Sequence, residues 1–164
     1  MAKYKDITTT GPIEWAKIFE NNRDMEGYEG DYVECEGAYT LNQILSNDEF
    51  EKLQETGSQK TPIKKRLMNE KEIVVKFVRK HLVTRRDGSI LPQAGGPPKI
   101  TDADGNPWTE EMGLIGNGSI AEVTNLITTF KGTQDGKMYS RTTLTGIKIL
   151  EHIKHGEKAE EMGW

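Results

Sequence analysis

The chain has 164 residues, 34% of them apolar and 29% charged. That is enough for one domain with a buried core, and polar enough to call for large loops. No run of about 18 apolar residues occurs, so no membrane-spanning helix is expected. The opening MAKYKDITTTG lacks the apolar stretch of a secretory leader. Cys35 is the lone cysteine, which excludes an internal disulfide and fits a reducing cytoplasm. It is expected as a small, half-buried strand residue.

The net charge of -4 conceals an asymmetry. Residues 1–57 carry 5 basic and 13 acidic side chains, whereas residues 58–100 carry 11 basic and 3 acidic, a net of +8. The remaining two segments, 101–150 and 151–164, are each net -2. A basic middle third in an acidic chain suggests either a polyanion-binding surface or a solvated lysine-rich face.

Residues 31–41 (DYVECEGAYTL) are aromatic and β-branched and predict a strand, with Gly37 as a bulge. SNDEFEKLQETG, 46–57, predicts a helix capped by Ser46. Glu49 stands three residues on as a capping box, Phe50 and Leu53 form the apolar face, and Gly57 is the stop. The polar, basic GSQKTPIKKR, 57–66, predicts a loop. EIVVKFVRKHLVTRR, 72–86, predicts a strand ending in the turn Asp87-Gly88. The same turn signal recurs at Asp104-Gly105 and Asp135-Gly136. GGPP, 95–98, is incompatible with a helix or central strand. SIAEVTNLITTFK, 119–131, and MYSRTTLTGIKILEHI, 138–153, predict two long strands, the second bent or bulged at Gly146.

One helix set between strand runs argues against alternating β-α-β units. The expectation is a mainly β, five-stranded, partly open barrel of the oligonucleotide/oligosaccharide-binding (OB) type, with one inserted helix and long loops. A sandwich is the alternative. Residues 1–153 are expected to form this single domain, and 154–164 an acidic tail.

Catalytic and metal patterns are weak. His81, His152 and His155 lack metal-site spacing. DADGNPWTEEMG, 102–113, starts like a calcium loop, but Pro107 fills the glycine slot and Gly113 the place of the bidentate Glu, so a hairpin turn is expected. GNGS, 116–119, opens no helix. The chain is therefore expected not to be an enzyme, and neither metal nor cofactor is assigned.

Binding residues are easier to find. Lys76, Arg79 and Lys80 share a strand with Phe77, and Arg85 and Arg86 sit at its end. Lys64, Lys65 and Arg66 precede it, Tyr139 and Arg141 open the last strand, and Trp108 follows a turn. Cations that track phosphates and rings that stack on bases are what sequence-tolerant single-strand binding needs. Phe77 lies among valines, so the core competes for it, and Trp15, Tyr28 and Tyr32 suit a core or a dimer contact. Lys76 and Lys80 share strand parity with Val74 and Val78, which implies an edge or a bulge.

Three stretches, WAKIFENNRD (15–24), LIGNGSIAEV (114–123) and YSRTTLTGIKILEHI (139–153), together with an acidic end closed by an aromatic residue, carry a family likeness. The sequence resembles the single-stranded DNA-binding proteins of short-tailed bacteriophages, especially those of marine hosts. The resemblance implies an OB fold, a homodimer, and single-stranded DNA binding in phage replication and recombination inside the bacterial host cytoplasm. It also implies a tail that engages the replicative DNA polymerase and the helicase–primase. The tail here is shorter and less acidic than is usual in that family, with Glu157, Glu160 and Glu161 before Trp164. Those four residues are expected to mimic DNA by folding back on the groove, or else Trp164 plugs the body. A metal-dependent nuclease or resolvase, and a virion or assembly protein built on a β-barrel, are the competing function classes.

Overall fold

The computed structural model describes residues 3–25, 30, 32–33, 35–60, 73–84, 87–90, 95–132 and 134–153. Six strands and one α-helix follow in the order β1 (Lys3–Lys17), β2 (Ala38–Leu45), α1 (Asn47–Glu55), β3 (Ile73–Lys80), β4 (Lys99–Asp102), β5 (Ser119–Lys131) and β6 (Met138–Glu151). They form one sheet in the order β3-β2-β1-β5-β6-β4. All neighbours are antiparallel except β4, which runs parallel to β6. The sheet is not closed by a ladder, but its β3 edge approaches β6, where Arg79 Nη1 donates to the Leu144 carbonyl at 3.4 Å.

Strand alternation builds the core. Ala121, Val123 and Ile127 of β5 point inward, joined by Leu144, Ile147 and Ile149 of β6 and by Leu41, Val75 and Phe77 of β2 and β3. β1 carries no clear alternating signal, yet it is the longest strand. It pairs with β5 from Lys3 to Ile13, then with β2 from Ile13 to Lys17. Gly11 permits that crossing, since a Cβ there would lie 2.2 Å from the Ile44 carbonyl oxygen. Buried Gln43 joins three strands by donating to the Thr9, Gly11 and Ala121 carbonyls.

α1 forms as its sequence predicts. Ser46 Oγ accepts from the Glu49 N–H at 3.2 Å, Leu53 is buried, and Gly57 turns the chain at φ +93°. The Glu49 carboxylate leaves the capping box and accepts from the Thr10 N–H at 2.9 Å, which ties α1 to β1. The three Asp-Gly turns also form. Asp87 Oδ1 accepts from Ser89, Asp102 Oδ1 from the Asp104 and Asn106 N–H groups, and Asp135 Oδ1 from the Lys137 N–H.

Four expectations need correction. The strand set at 31–41 begins only at Ala38, because Glu36 (φ 58°) and Gly37 (φ 96°) turn the chain first. Cys35 accordingly lies buried in that turn, its thiol directed at the Tyr32 and Gly37 carbonyls. The strand set at 72–86 is the shorter β3, beyond which the His81 and Leu82 N–H groups bond the Gly37 and Cys35 carbonyls. Among the described residues there are six strands rather than five, and both β1 and β4 went unsignalled.

Candidate nucleic-acid interface

Residues opposite one another in a ladder share a face, so the registers define the outer surface of β1, β5 and β6 row by row. Phe130 faces Tyr139 in the first row, followed by Tyr4, Thr128 and Arg141 in the next. Asp6, Leu126 and Thr143 make the third row, and Thr8, Thr124 and Gly146 the fourth. The face is rich in threonine because β-branched residues suit a strand and a hydroxyl suits water.

The first two rows form a ledge beside the Asp135-Gly136 turn. The Tyr139 and Phe130 rings stack with centroids 6.1 Å apart at 27°, and the Arg141 guanidinium lies 5.8 Å from the Phe130 centroid. Gly132 makes room for the fold-back, since a Cβ there would lie 2.7 Å from Tyr139 Cε2. The Tyr139 hydroxyl donates to Asp135 Oδ2. That bond raises the Tyr139 pKa and, with the Lys137 N–H, lowers that of Asp135. The Tyr139 ring is therefore partly exposed, at 38%, and held in place.

The ledge opens into a cleft of ≈ 740 Å³ along the seam between β3 and β6. Thr128, Thr142, Thr143 and Thr145 line one side, Val78 and Lys80 the other, and Arg141 stands at the ledge end. Beside it, residues 58–60 clasp β6. The Gln59 N–H donates to Ser140 Oγ at 2.9 Å, and the Ser140 N–H returns to Gln59 Oε1 at 3.0 Å. Lys60 is left close to Lys76, and its pKa is lowered, chiefly by burial and then by the Lys76 charge. The Lys76 ammonium lies 5.6 Å from the Tyr32 ring centroid.

The residues singled out in the sequence thus divide. Tyr139, Arg141 and Lys80 meet at the ledge and cleft. Phe77 is corrected to a core residue at 0% exposure, because alternation turns it to the face opposite Lys76 and Lys80. Arg79 also lines the cleft but is corrected to a structural clamp: its Nε and Nη2 donate to the Gly96 and Gly95 carbonyls at 2.8 and 2.9 Å. Burial lowers its pKa, and those carbonyls take up its donors. Trp108 is corrected likewise. It packs against the core, its Nε1 donates to the Gly113 carbonyl at 3.0 Å, and its ring meets His152 edge-on at 4.7 Å. Lys64, Lys65, Arg66, Arg85, Arg86, Glu157, Glu160, Glu161 and Trp164 lie outside the described residues. Phe130 went unnoticed in the sequence. Its position one residue from a strand end, opposite Tyr139, is the only signal that marks it.

A six-stranded open barrel with a polar cleft at its seam can be compared with known proteins. No protein-family model and no curated protein matches the sequence. Solved structures do match. One is gp2.5, a single-stranded DNA binding protein encoded by bacteriophage T7, with a TM-score of 0.59 at 16% identity, covering 97% of this chain and 95% of that one. Another is the single-stranded DNA-binding protein from bacteriophage Enc34 in complex with single-stranded DNA, with a TM-score of 0.50 at 10% identity, covering 92% and 88%. The chain shares their fold. The OB-type barrel expected from the strand pattern is therefore the architecture of this chain, with six strands in an open sheet.

Proposed function

We propose that this chain binds single-stranded DNA without strong sequence preference and does so as a binding module, not as a catalyst. The observation that carries the reading is the Tyr139–Phe130–Arg141 ledge opening on a threonine-lined cleft flanked by Lys80. Rings stack on any base, and the guanidinium takes a phosphate. The likeness in fold to two phage proteins named for single-stranded DNA binding supports it.

The finer reading follows the family resemblance. The protein acts in phage DNA replication and recombination in the bacterial cytoplasm, as a homodimer. Residues 1–153 form the binding domain, and the tail 154–164 competes with DNA through Glu157, Glu160, Glu161 and Trp164. Freed by DNA, that tail contacts the replicative polymerase and helicase–primase. Lys64, Lys65, Arg66, Lys76, Arg85 and Arg86 supply further phosphate contacts.

Titration of oligo-dT against duplex of equal length, at two salt concentrations, tests the proposal. Each phosphate neutralised on a single strand contributes about -0.7 to the log–log salt slope, so roughly four contacts give about -3. A slope near zero or equal affinity for duplex refutes single-strand binding. Strand cleavage on adding magnesium establishes a nuclease instead.

A further inference from the structure

A second cleft, of ≈ 350 Å³, continues along the same outer face where β6 passes between β5 and β4. Lys99 stands opposite Gly146, and Thr101 opposite Lys148. Thr145 lines this cleft and the larger one, so the two adjoin. The cause is the bulge expected near Gly146. Thr124 pairs with Gly146 but Asn125 with Leu144, which leaves Thr145 as the extra residue. The Thr145 hydroxyl donates to the Thr124 carbonyl at 3.1 Å and occupies an acceptor at the break in the ladder.

Gly146 forms the floor. A Cβ there would meet Lys99 O at 3.5 Å and Thr124 Cβ at 3.9 Å, ordinary contact distances, and its φ is not positive. Neither packing nor backbone geometry requires a glycine, and its effect is to leave the backbone open to a ligand. Neither Lys99 nor Lys148 forms an ion pair with a described residue. The carboxylate opposite Lys148 in register is Glu122.

We infer that the Lys99–Gly146–Lys148 cleft is a second phosphate-binding subsite that extends the strand path from the ledge across β6 to β4. The inference rests on the single-strand reading above. The row at Phe130 and the row at Glu122 are eight residues apart along β5, about 27 Å at ~3.4 Å per residue. A short oligonucleotide held at the ledge therefore stops before the second cleft, and a longer one enters it.

The test compares the wild-type chain with a Lys99→Gln/Lys148→Gln variant on oligo-dT from about 4 to about 16 nucleotides, the site-size range of one OB fold. The shortest ligands are expected to bind both proteins equally. On the longest, loss of two phosphate contacts makes the variant's salt slope shallower by about 1.4, which corresponds to roughly 25-fold weaker binding at 0.1 M salt. Gly146→Val retains both lysines but fills the floor, and it is expected to weaken only the long ligands. The inference is overturned if folded variants bind long oligo-dT as the wild type does, or lose affinity equally at every length, which marks a bulk charge effect. If the wild-type chain binds no single strand, the single-strand reading fails, and the subsite with it.

Discussion

Truncating Tyr139 to Ala tests the ledge most directly. The ring is 38% exposed, stacks on Phe130 with centroids 6.1 Å apart, and is held by the hydrogen bond to Asp135. In the folded protein alone, the loss is an exposed aromatic pair, about 0.5–1.5 kcal/mol. Against DNA, loss of a stacking platform costs about 1–3 kcal/mol, a roughly 5- to 150-fold rise in Kd. The ring neutralises no phosphate, so the salt slope is expected to stay at the wild-type value while the whole binding line shifts. Tyr139→Phe keeps the ring, loses only the Asp135 bond, and is expected to stay within a few-fold of wild type. Arg141→Gln shows the opposite pattern, with a slope shallower by about 0.7. Fluorescence anisotropy on labelled oligo-dT at several salt concentrations reads all three. A folded Tyr139→Ala protein with unchanged affinity refutes the ledge as the stacking site.

The corrected residues make predictions of a different kind. Phe77→Ala empties a core position and is expected to cost about 3–5 kcal/mol in urea unfolding, with DNA affinity unchanged in whatever remains folded. Arg79→Gln releases the Gly95 and Gly96 carbonyls, so faster amide exchange at 95–96 is expected with an unchanged salt slope. A shallower slope would return Arg79 to the phosphate contacts. Burial pushes the Glu49 pKa up, but hydrogen bonds from Lys52 and the Thr10 N–H outweigh it and hold the carboxyl below its usual 4.5. Its contribution to stability is thus complete above about pH 4.5 and is lost as pH falls through the lower folded value. Glu49→Gln is expected to flatten that part of the stability–pH curve, measured by thermal melts.

What the sequence disclosed depended on how local each signal was. α1 announced itself through Ser46 and Gly57, and β5 and β6 through alternation closed by Asp135-Gly136, all within a few residues of the feature they specify. β1 gave no such signal. Its Thr-rich stretch ends in Gly11-Pro12, which reads as a loop, and Gly11 is explained only by the Ile44 carbonyl arriving from β2. β4 has four residues, too few to show a period, and its parallel pairing with β6 is non-local. The same division runs through the site. Residue type picked out Tyr139 and Arg141. Type could not say that Phe77 faces inward or that Arg79 and Trp108 have backbone carbonyls as partners, because side-chain direction depends on which face the rest of the sheet covers. Lys99 and Lys148 were unremarkable as single cations until the β4–β6 pairing placed them in one cleft.

The charges around the ledge also bear on how a strand would lie there. A net charge of -4 does not oppose a polyanion if opposing charges lie beyond a Debye length of about 10 Å at 0.1 M salt. Arg141 and Lys80 flank the large cleft, and Lys148 and Lys99 the smaller one, while Asp6 stands in a row between them and Glu122 opposite Lys148. Asp135 is the acid that meets the ledge itself. Its lowered pKa keeps it ionised, with one oxygen committed to the Tyr139 hydroxyl. A phosphate is repelled from the turn end of the ring and drawn to Arg141, two residues along the strand. A base, which carries no charge, can take the Tyr139 face without that penalty. On the proposed single-strand reading, the ledge would separate the two halves of a nucleotide by electrostatics, ring against base and guanidinium against phosphate, without consulting the base's identity.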